Sequence, residues 1–469
     1  MQSDRIRLRH SIWLRGVKAA NVLMVTLPLA LAWLWYYNLQ LPHPYFWRGQ
    51  AFVVGLYMVA YAWLLIVYGG ITISLYRISE LIYSQFLAYM ISDAMFYALF
   101  MLLARKWLSI WPLLLTIVAQ GGLSVLWCES VHFRYFKKNR PLRSVVIWDM
   151  RQGLDELIAS SGLDQRFNVL DTPHVDAVIA DLSLLDQAQA VFLCGIHSKQ
   201  RNIIIKYCVA HGIRAYIIPR IGDVIMAKAR PIHMFYLPML QLDRYNPRPE
   251  YVFIKRAFDI FASGLALILL SPLMGVVALL IRRDGGTALY RQKRLTKDGR
   301  VFELLKFRSM RMDAESDGVA RLSSGENDDR ITPVGRVFRS LRMDELPQLW
   351  NILKGDMSVV GPRPERPEIA AEYEKEMPEF GLRLQCKAGL TGYAQVFGKY
   401  NSTPYDKLLM DLRYIAQASV TEDIRIILGT IKILFLPEST EGVAVGATTA
   451  MDYENAADST ENDAETVRK

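Results

Sequence analysis

AFDIFASGLALILLSPLMGVVALLI, residues 257–281, is an apolar run whose only charged member is Asp259. It is long enough to cross the hydrocarbon core of a bilayer, which takes about 20 residues. Basic pairs flank it on both sides, Lys255–Arg256 before and Arg282–Arg283 after. Lys and Arg favour the cytoplasmic face, so both ends are predicted on one side. Ser271–Pro272 falls past the middle, where proline removes a backbone hydrogen bond and kinks a helix. The serine hydroxyl is available for the carbonyl so freed. The expectation is a re-entrant helix that enters the bilayer, bends at Ser271–Pro272 and returns.

Toward the N-terminus lie four more apolar stretches, at about 19–37, 51–71, 81–103 and 107–127, each near spanning length. Trp33, Trp35, Tyr36, Trp107 and Trp127 gather near their ends, as in an aromatic belt. Arg5, Arg7, Arg9, Arg15 and Lys18 precede the first, while Arg134, Lys137, Lys138, Arg140 and Arg143 follow the last. Both ends of a four-helix transmembrane domain, residues 1–130, are therefore predicted to be cytoplasmic. The first stretch has no small-residue cleavage pattern and reads as a retained helix, not a signal peptide. Four crossings leave the chain inside, and a true fifth would export everything after it. Asp93, within the third stretch, marks either a pathway or a helix-paired structural carboxylate; the sequence does not choose.

Residues 140–245 alternate short apolar runs with helical stretches. SVVIWD, AVFLCGI and IRAYIIP read as buried parallel strands, with Ser198–His211 a helix between two of them. That is a small Rossmann-like α/β module. A nucleotide site would want a glycine-rich turn after the first strand, but Asp149 is followed by MRQG, with only Gly153 available. A structural or regulatory role is expected. The fold class is thus a membrane α-helical bundle plus α/β. A mostly α-helical catalytic domain is expected at 251–437, and an acidic, apolar-poor tail at 438–469 reads as disordered.

Composition agrees. Hydrophobic residues make up 52% of the 469, and the net charge is +9. That balance suits an anionic membrane face or phosphorylated substrates. No basic stripe interleaved with aromatics appears, so no nucleic-acid partner is expected. The four cysteines form no CxxC pair and read as buried thiols. All seven histidines lie before residue 250, so chemistry in the C-terminal half must run without imidazole.

That half carries three clusters: LLKFRSM at Leu304–Met310, RSLRMDELPQLWNILKGDMSVVGPRPE at Arg339–Glu365, and KAGLTGYAQV at Lys387–Val396. Asp344–Glu345 are adjacent carboxylates preceded by Arg336, Arg339 and Arg342. Moving a phosphoryl group requires fixed positive charge on its oxygens and usually Mg²⁺. Carboxylates suit Mg²⁺, and without histidine a carboxylate is the natural covalent nucleophile. Guanidinium forks hold phosphate in bidentate fashion. Arg308, Arg363 and Arg383 are the candidates, with Lys306 as a point charge and Pro362 and Pro364 stiffening the backbone around Arg363. Gln348 and Asn351, about one helical turn past the dyad, are placed to brace it. Thr391 and Gln395 are further candidates for nucleotide or sugar contact. The bland alternatives are a solvated helix-start charge for the Asp–Glu pair, and acid pairing or lipid headgroups for the arginines.

Taken together these clusters resemble the bacterial sugar transferase family, the monotopic phosphoglycosyl transferases, from about Lys255 to Leu436. The four-helix start and the α/β module resemble the family's long form, the undecaprenyl-phosphate hexose phosphotransferases. Departures are Ala388, where the family usually has Pro, and Met343, where Leu is common. The resemblance supports the re-entrant reading and implies transfer of a sugar-1-phosphate from a UDP-sugar to undecaprenyl phosphate, releasing UMP. The implied setting is the initiating step of exopolysaccharide, capsule or O-antigen assembly at the bacterial inner membrane, with the catalytic domain facing the cytoplasm. It implies Asp344 as nucleophile, Glu345 as metal ligand or proton handler, and Mg²⁺ as cofactor held by Asp344 and Glu345. Lys306, Arg308, Arg339, Arg342, Gln348, Arg363 and Arg383 are the expected substrate contacts. A homodimer is compatible with this reading, and the sugar is left open. The competing readings are a sugar-nucleotide dehydratase or epimerase, disfavoured by the missing glycine fingerprint, and a non-enzymatic membrane scaffold for glycan assembly.

Overall fold

The computed structural model describes residues 2–283, 285–311, 330–398 and 403–434; the tail at 438–469 lies outside them. The chain forms two compact units, Met1–Ile218 and one beginning at Pro219.

The first unit opens with α1 (Gln2–Ala32), α2 (Trp47–Val67), α3 (Ile78–Ala104) and α4 (Trp111–Lys138). Five helices of the described residues are long and apolar enough to cross a membrane: these four and one in the second unit. The first helix continues through tighter and wider turns to Gln40, beyond the stretch its hydropathy marked. α1 packs on α2 and α4, and α3 packs on the same two. Leu23, Val59, Leu102 and Val118 stay exposed, as an apolar environment around the bundle requires. Inside, Asp93 is fully buried and accepts from the Tyr57 hydroxyl at 2.7 Å. Gln120 donates to the same hydroxyl at 2.9 Å.

The sheet follows: β1 (Leu142–Trp148), α5 (Leu154–Ser160), β2 (Phe167–Asp171), α6 (Val175–Ala180), β3 (Ala190–Cys194), α7 (Ser198–Ala210) and β4 (Arg214–Ile217). All four strands are parallel, in the order β2-β1-β3-β4. The three strands read from the sequence are β1, β3 and β4. β2, FNVLD, escapes hydropathy because it is a largely exposed edge strand. Arg166 ties the sheet to the α2–α3 turn, donating to the Ser74 hydroxyl at 2.6 Å and its carbonyl at 2.8 Å.

The second unit contains α8 (Ile221–Met226), the hairpin β5 (Arg230–Met234) and β6 (Leu237–Gln241), and α9 (Pro249–Arg282). A second hairpin, β7 (Leu289–Leu295) with β8 (Val301–Phe307), precedes α10 (Pro333–Ser340), α11 (Gln348–Lys354), β9 (Ser358–Val360) and α12 (Pro367–Glu376). β10 (Gly389–Thr391), α13 (Tyr393–Phe397), α14 (Pro404–Gln417) and α15 (Val420–Leu434) complete it. Helices dominate. Their main core joins Ile369, Tyr373 and Phe380 to Leu408, Leu412, Ile415 and Ile426.

α9 positions everything else. Its 34 residues run as one helix through Pro272, about 50 Å at 1.5 Å per residue. Proline withholds the N–H that would meet the Ile268 carbonyl, and the Ser271 hydroxyl donates to that carbonyl at 2.8 Å. One face is apolar and exposed along its length, from Phe253 and Phe261 through Ile268 and Leu269 to Val276 and Leu279. The opposite face rests on the polar body from end to end. At the start, Lys255 pairs with Asp423 at 2.8 Å, and Tyr251 donates to the same carboxylate at 2.9 Å. One residue on, Arg256 caps the end of α11 by donating to the Ile352 and Leu353 carbonyls, both at 2.8 Å. Leu267 and Leu270 pack with Leu304, Leu349 and Ile352, while Val277 and Ile281 pack with Phe307 and Phe338. Asp259, the lone charge of the apolar run, accepts from the Ser358 hydroxyl at 3.1 Å and the Val359 N–H at 2.9 Å. It is the pin that fixes β9 to the helix.

Candidate active site

Asp344 and Glu345 sit on a single 3₁₀ turn, Met343–Glu345, between α10 and α11. The turn is entered through Arg342, whose φ of 52° is left-handed. A non-glycine residue there costs about 1–2 kcal/mol, a strain of the kind found where function fixes the backbone.

Three cations converge on Glu345. Arg363 reaches Oε1 at 3.1 Å and Lys306 at 3.5 Å, while Arg342 stands 3.8 Å from Oε2. Burial alone would push the Glu345 carboxyl up; Arg363, Lys306 and Arg342 outweigh it and hold it down at about 2. Asp344, only 8% exposed, goes the other way. Burial raises its pKa, Lys306 pulls back, and the Glu345 charge pushes up again. Among the described residues Asp344 makes no ion pair within 4 Å. The pair therefore holds one carboxylate fully compensated and one left open.

Each cation is placed by backbone ties. Lys306 lies on β8, the strand that Asn351 grips by accepting from Leu305 N–H at 3.0 Å and donating to the Glu303 carbonyl at 2.8 Å. Asn351 thus braces the site through Lys306. Arg363 projects from the Gly361–Pro362–Arg363–Pro364 loop, which lies against the KAGLTG segment. Gly361 N–H donates to the Thr391 carbonyl and Gly389 N–H to the Pro362 carbonyl, both at 2.9 Å. The approach demands glycine: a Cβ on Gly389 would fall 2.1 Å from the Gly361 nitrogen.

Of the residues singled out in the sequence, the structure brings Asp344, Glu345, Lys306, Arg342 and Arg363 together, with Arg339 close enough to lower the Asp344 pKa. Four others lie apart from this cluster. Arg308 donates to the Ile281 carbonyl at 3.0 Å, tying β8 to the end of α9. Arg383 pairs with Asp411 at 2.7 Å and donates to the Arg363 carbonyl at 2.8 Å. Gln348 is buried at the start of α11. Thr391 is bonded to Thr430 at 2.6 Å. Sequence reasoning passed over Arg294, which holds the Pro364 carbonyl at 3.0 Å and Glu365 at 3.2 Å. Burial lowers its pKa to about 10. Its signal was faint, one of three basic residues in an exposed-looking RQKRL strand. The cavity behind the Arg363 loop, about 10 Å³, is packing space and too small for a nucleotide.

The donor chemistry fits Mg²⁺, which takes one or two carboxylates and fills its shell with water and substrate phosphate. Asp344 and Oε2 of Glu345 are the oxygens available, since Oε1 already takes Lys306 and Arg363. Among the described residues no third acidic, His or Cys side chain joins them.

Fold and site define a class: an arginine-ringed carboxylate pair on a polar body packed against a membrane-type apolar helix. Residues 250–437 match the family model described as "Bacterial sugar transferase". The chain is 39% identical over 199 residues to the UDP-glucose:undecaprenyl-phosphate glucose-1-phosphate transferase of Caulobacter vibrioides, covering 41% of this chain and 74% of that one. To the exopolysaccharide production protein PSS of Rhizobium leguminosarum bv. phaseoli it is 42% identical over 188 residues, 38% of this chain and 93% of the other. To the UDP-N-acetylgalactosamine-undecaprenyl-phosphate N-acetylgalactosaminephosphotransferase of Aeromonas hydrophila it is 36% identical over 277 residues, 57% and 62%. The chain belongs to the bacterial sugar transferase family. It spans 62% of the Aeromonas relative's length, and 43% of the galactosyl transferase CpsE of Streptococcus agalactiae.

Proposed function

We propose that the protein transfers a sugar-1-phosphate from a UDP-sugar to undecaprenyl phosphate at the inner face of the bacterial cytoplasmic membrane. The carrying observation is the contrast within the dyad. Glu345 is clamped by Arg363, Lys306 and Arg342, and its neighbour Asp344 is left open beside the same cations. Relatives named for undecaprenyl phosphate and a sugar phosphate support the substrate class.

In the first step an Asp344 carboxylate oxygen attacks the sugar-bearing phosphorus, the P–O bond to the bridging oxygen breaks, and UMP leaves with the electron pair. Asp344 then carries the phosphosugar as an acyl phosphate. In the second step an oxygen of the lipid phosphate attacks that phosphorus, and the aspartate leaves as carboxylate. Arg363, Lys306 and Arg339 offset charge on the phosphoryl oxygens. Mg²⁺ held by Asp344 and Glu345 would neutralise diphosphate charge. Glu345 keeps the cations oriented while Asp344 is covalently occupied.

Delivery of the lipid is assigned to α9. Its exposed apolar face belongs in the acyl layer, and its opposite face packs on the polar body at both ends. That supports a helix that enters the bilayer and returns, bringing the lipid phosphate and the cytosolic nucleotide to one surface. Asp344→Asn should abolish UMP release and lipid-linked product when the purified chain is given a panel of UDP-sugars with undecaprenyl phosphate. Near-normal turnover by that variant would remove the covalent step.

A further inference from the structure

The Arg363 loop is held from behind by a buried ion pair. α14 is amphipathic, and its inward positions include Leu408, Leu409, Leu412, Tyr414 and Ile415, with Asp411, 1% exposed, in their midst. A carboxylate so placed needs a partner. It has one: Asp411 Oδ2 accepts from Arg383 Nε at 2.9 Å and lies 2.7 Å from its Nη2. The same Nη2 donates to the Arg363 carbonyl at 2.8 Å, and Arg363 Nη2 donates to Glu345 Oε1 at 3.1 Å. The three links run from the middle of α14 to the catalytic turn.

We propose that Asp411 is a positioning residue for the transfer. By orienting Arg383 it fixes the Arg363 backbone, and so the guanidinium that clamps Glu345. The proposal rests on the reading of the dyad given above. Pro362 and Pro364 stiffen the loop on either side, and Arg294 holds the Pro364 carbonyl from β7. What Arg383 adds is a side-chain donor on the Arg363 carbonyl itself. The groups facing Glu345 are Lys306 from β8, Arg342 and Asp344 on its own turn, and Arg363 from the loop after β9. Loosening Arg363 frees the shortest of the ion pairs on Glu345, 3.1 Å at Oε1.

The test uses the full chain in lipid nanodiscs with two variants. Asp411→Asn strips Arg383 of its charge partner. Since that threatens folding, Arg383→Met combined with Asp411→Leu removes both buried charges, an exchange proteins often tolerate, while still deleting the donor to the Arg363 carbonyl. The double variant should keep the wild-type unfolding temperature within a few degrees. Its kcat should fall roughly 10²-fold, the cost of a small misplacement at a reacting centre, with KM for the UDP-sugar changed less. The side-chain Nε–H signal of Arg363, assigned in ¹⁵N spectra by difference from Arg363→Gln, should be rigid in the wild type and clearly more mobile in the double variant. A purely structural pair predicts otherwise: wild-type kcat and an equally rigid Arg363 in a folded double variant overturn the proposal. If the wild type itself turns over none of the UDP-sugars, the functional reading fails, and the mobility of Arg363 still decides the positioning one.

Discussion

Burial raises the Asp344 pKa, and Lys306 offsets it only in part. One residue on, three cations hold Glu345 near 2. The sign follows directly. A nucleophile with a raised pKa is blocked by its proton at a pH where an ordinary aspartate, near 3.9, is still charged. The acid limb of kcat/KM should therefore lie above the usual carboxylate range, with Glu345 ionised throughout. Arg363 lowers the pKa of both carboxyls. Arg363→Gln should thus move that limb to higher pH and reduce kcat/KM by about 10²-fold or more; pH–rate profiles of the two proteins check it, and a limb that stayed or moved down would refute the assignment. The identity of the dyad was legible because Asp–Glu sits in a long ordered motif. The left-handed φ at Arg342 and the inward turn of Arg308 and Arg383 were not. An arginine reads the same in sequence whether its fork meets substrate, a backbone carbonyl or a buried aspartate.

At the scale of the element, α9 was the most legible part of the chain. Its length, flanking basic pairs and Ser–Pro step are all visible in residues 255–283. Asp259 was visible without its purpose, since its partners Ser358 and Val359 lie a hundred residues away. Edge elements were harder. β2 and the β7–β8 hairpin carry mixed polar sequence because one or both faces are exposed. The same-side reading of α9 makes a direct prediction. With the native cysteines replaced by alanine, Arg248→Cys and Thr287→Cys should both react with a membrane-impermeant maleimide in inverted vesicles and neither in right-side-out ones. Labelling at 287 from the outside would mean that α9 crosses.

Across the whole molecule, the first unit joins a helical bundle to a parallel sheet, and the second joins an apolar helix to a polar body carrying the dyad. Three of the four strands of the sheet were readable as short apolar runs, while the edge strand β2 was not; Gly153, after β1, starts α5 with a φ of 81°. The transfer requires Asp344 to form a bond to phosphorus. Mixing the protein with a UDP-sugar labelled in the sugar-bearing phosphate, without lipid acceptor, and quenching in acid should trap label on the peptide containing Asp344. Undecaprenyl phosphate added before the quench should remove it, and Asp344→Asn should never acquire it. A wild-type protein that forms lipid-linked product yet traps no label, or a label that persists in Asp344→Asn, would contradict the mechanism.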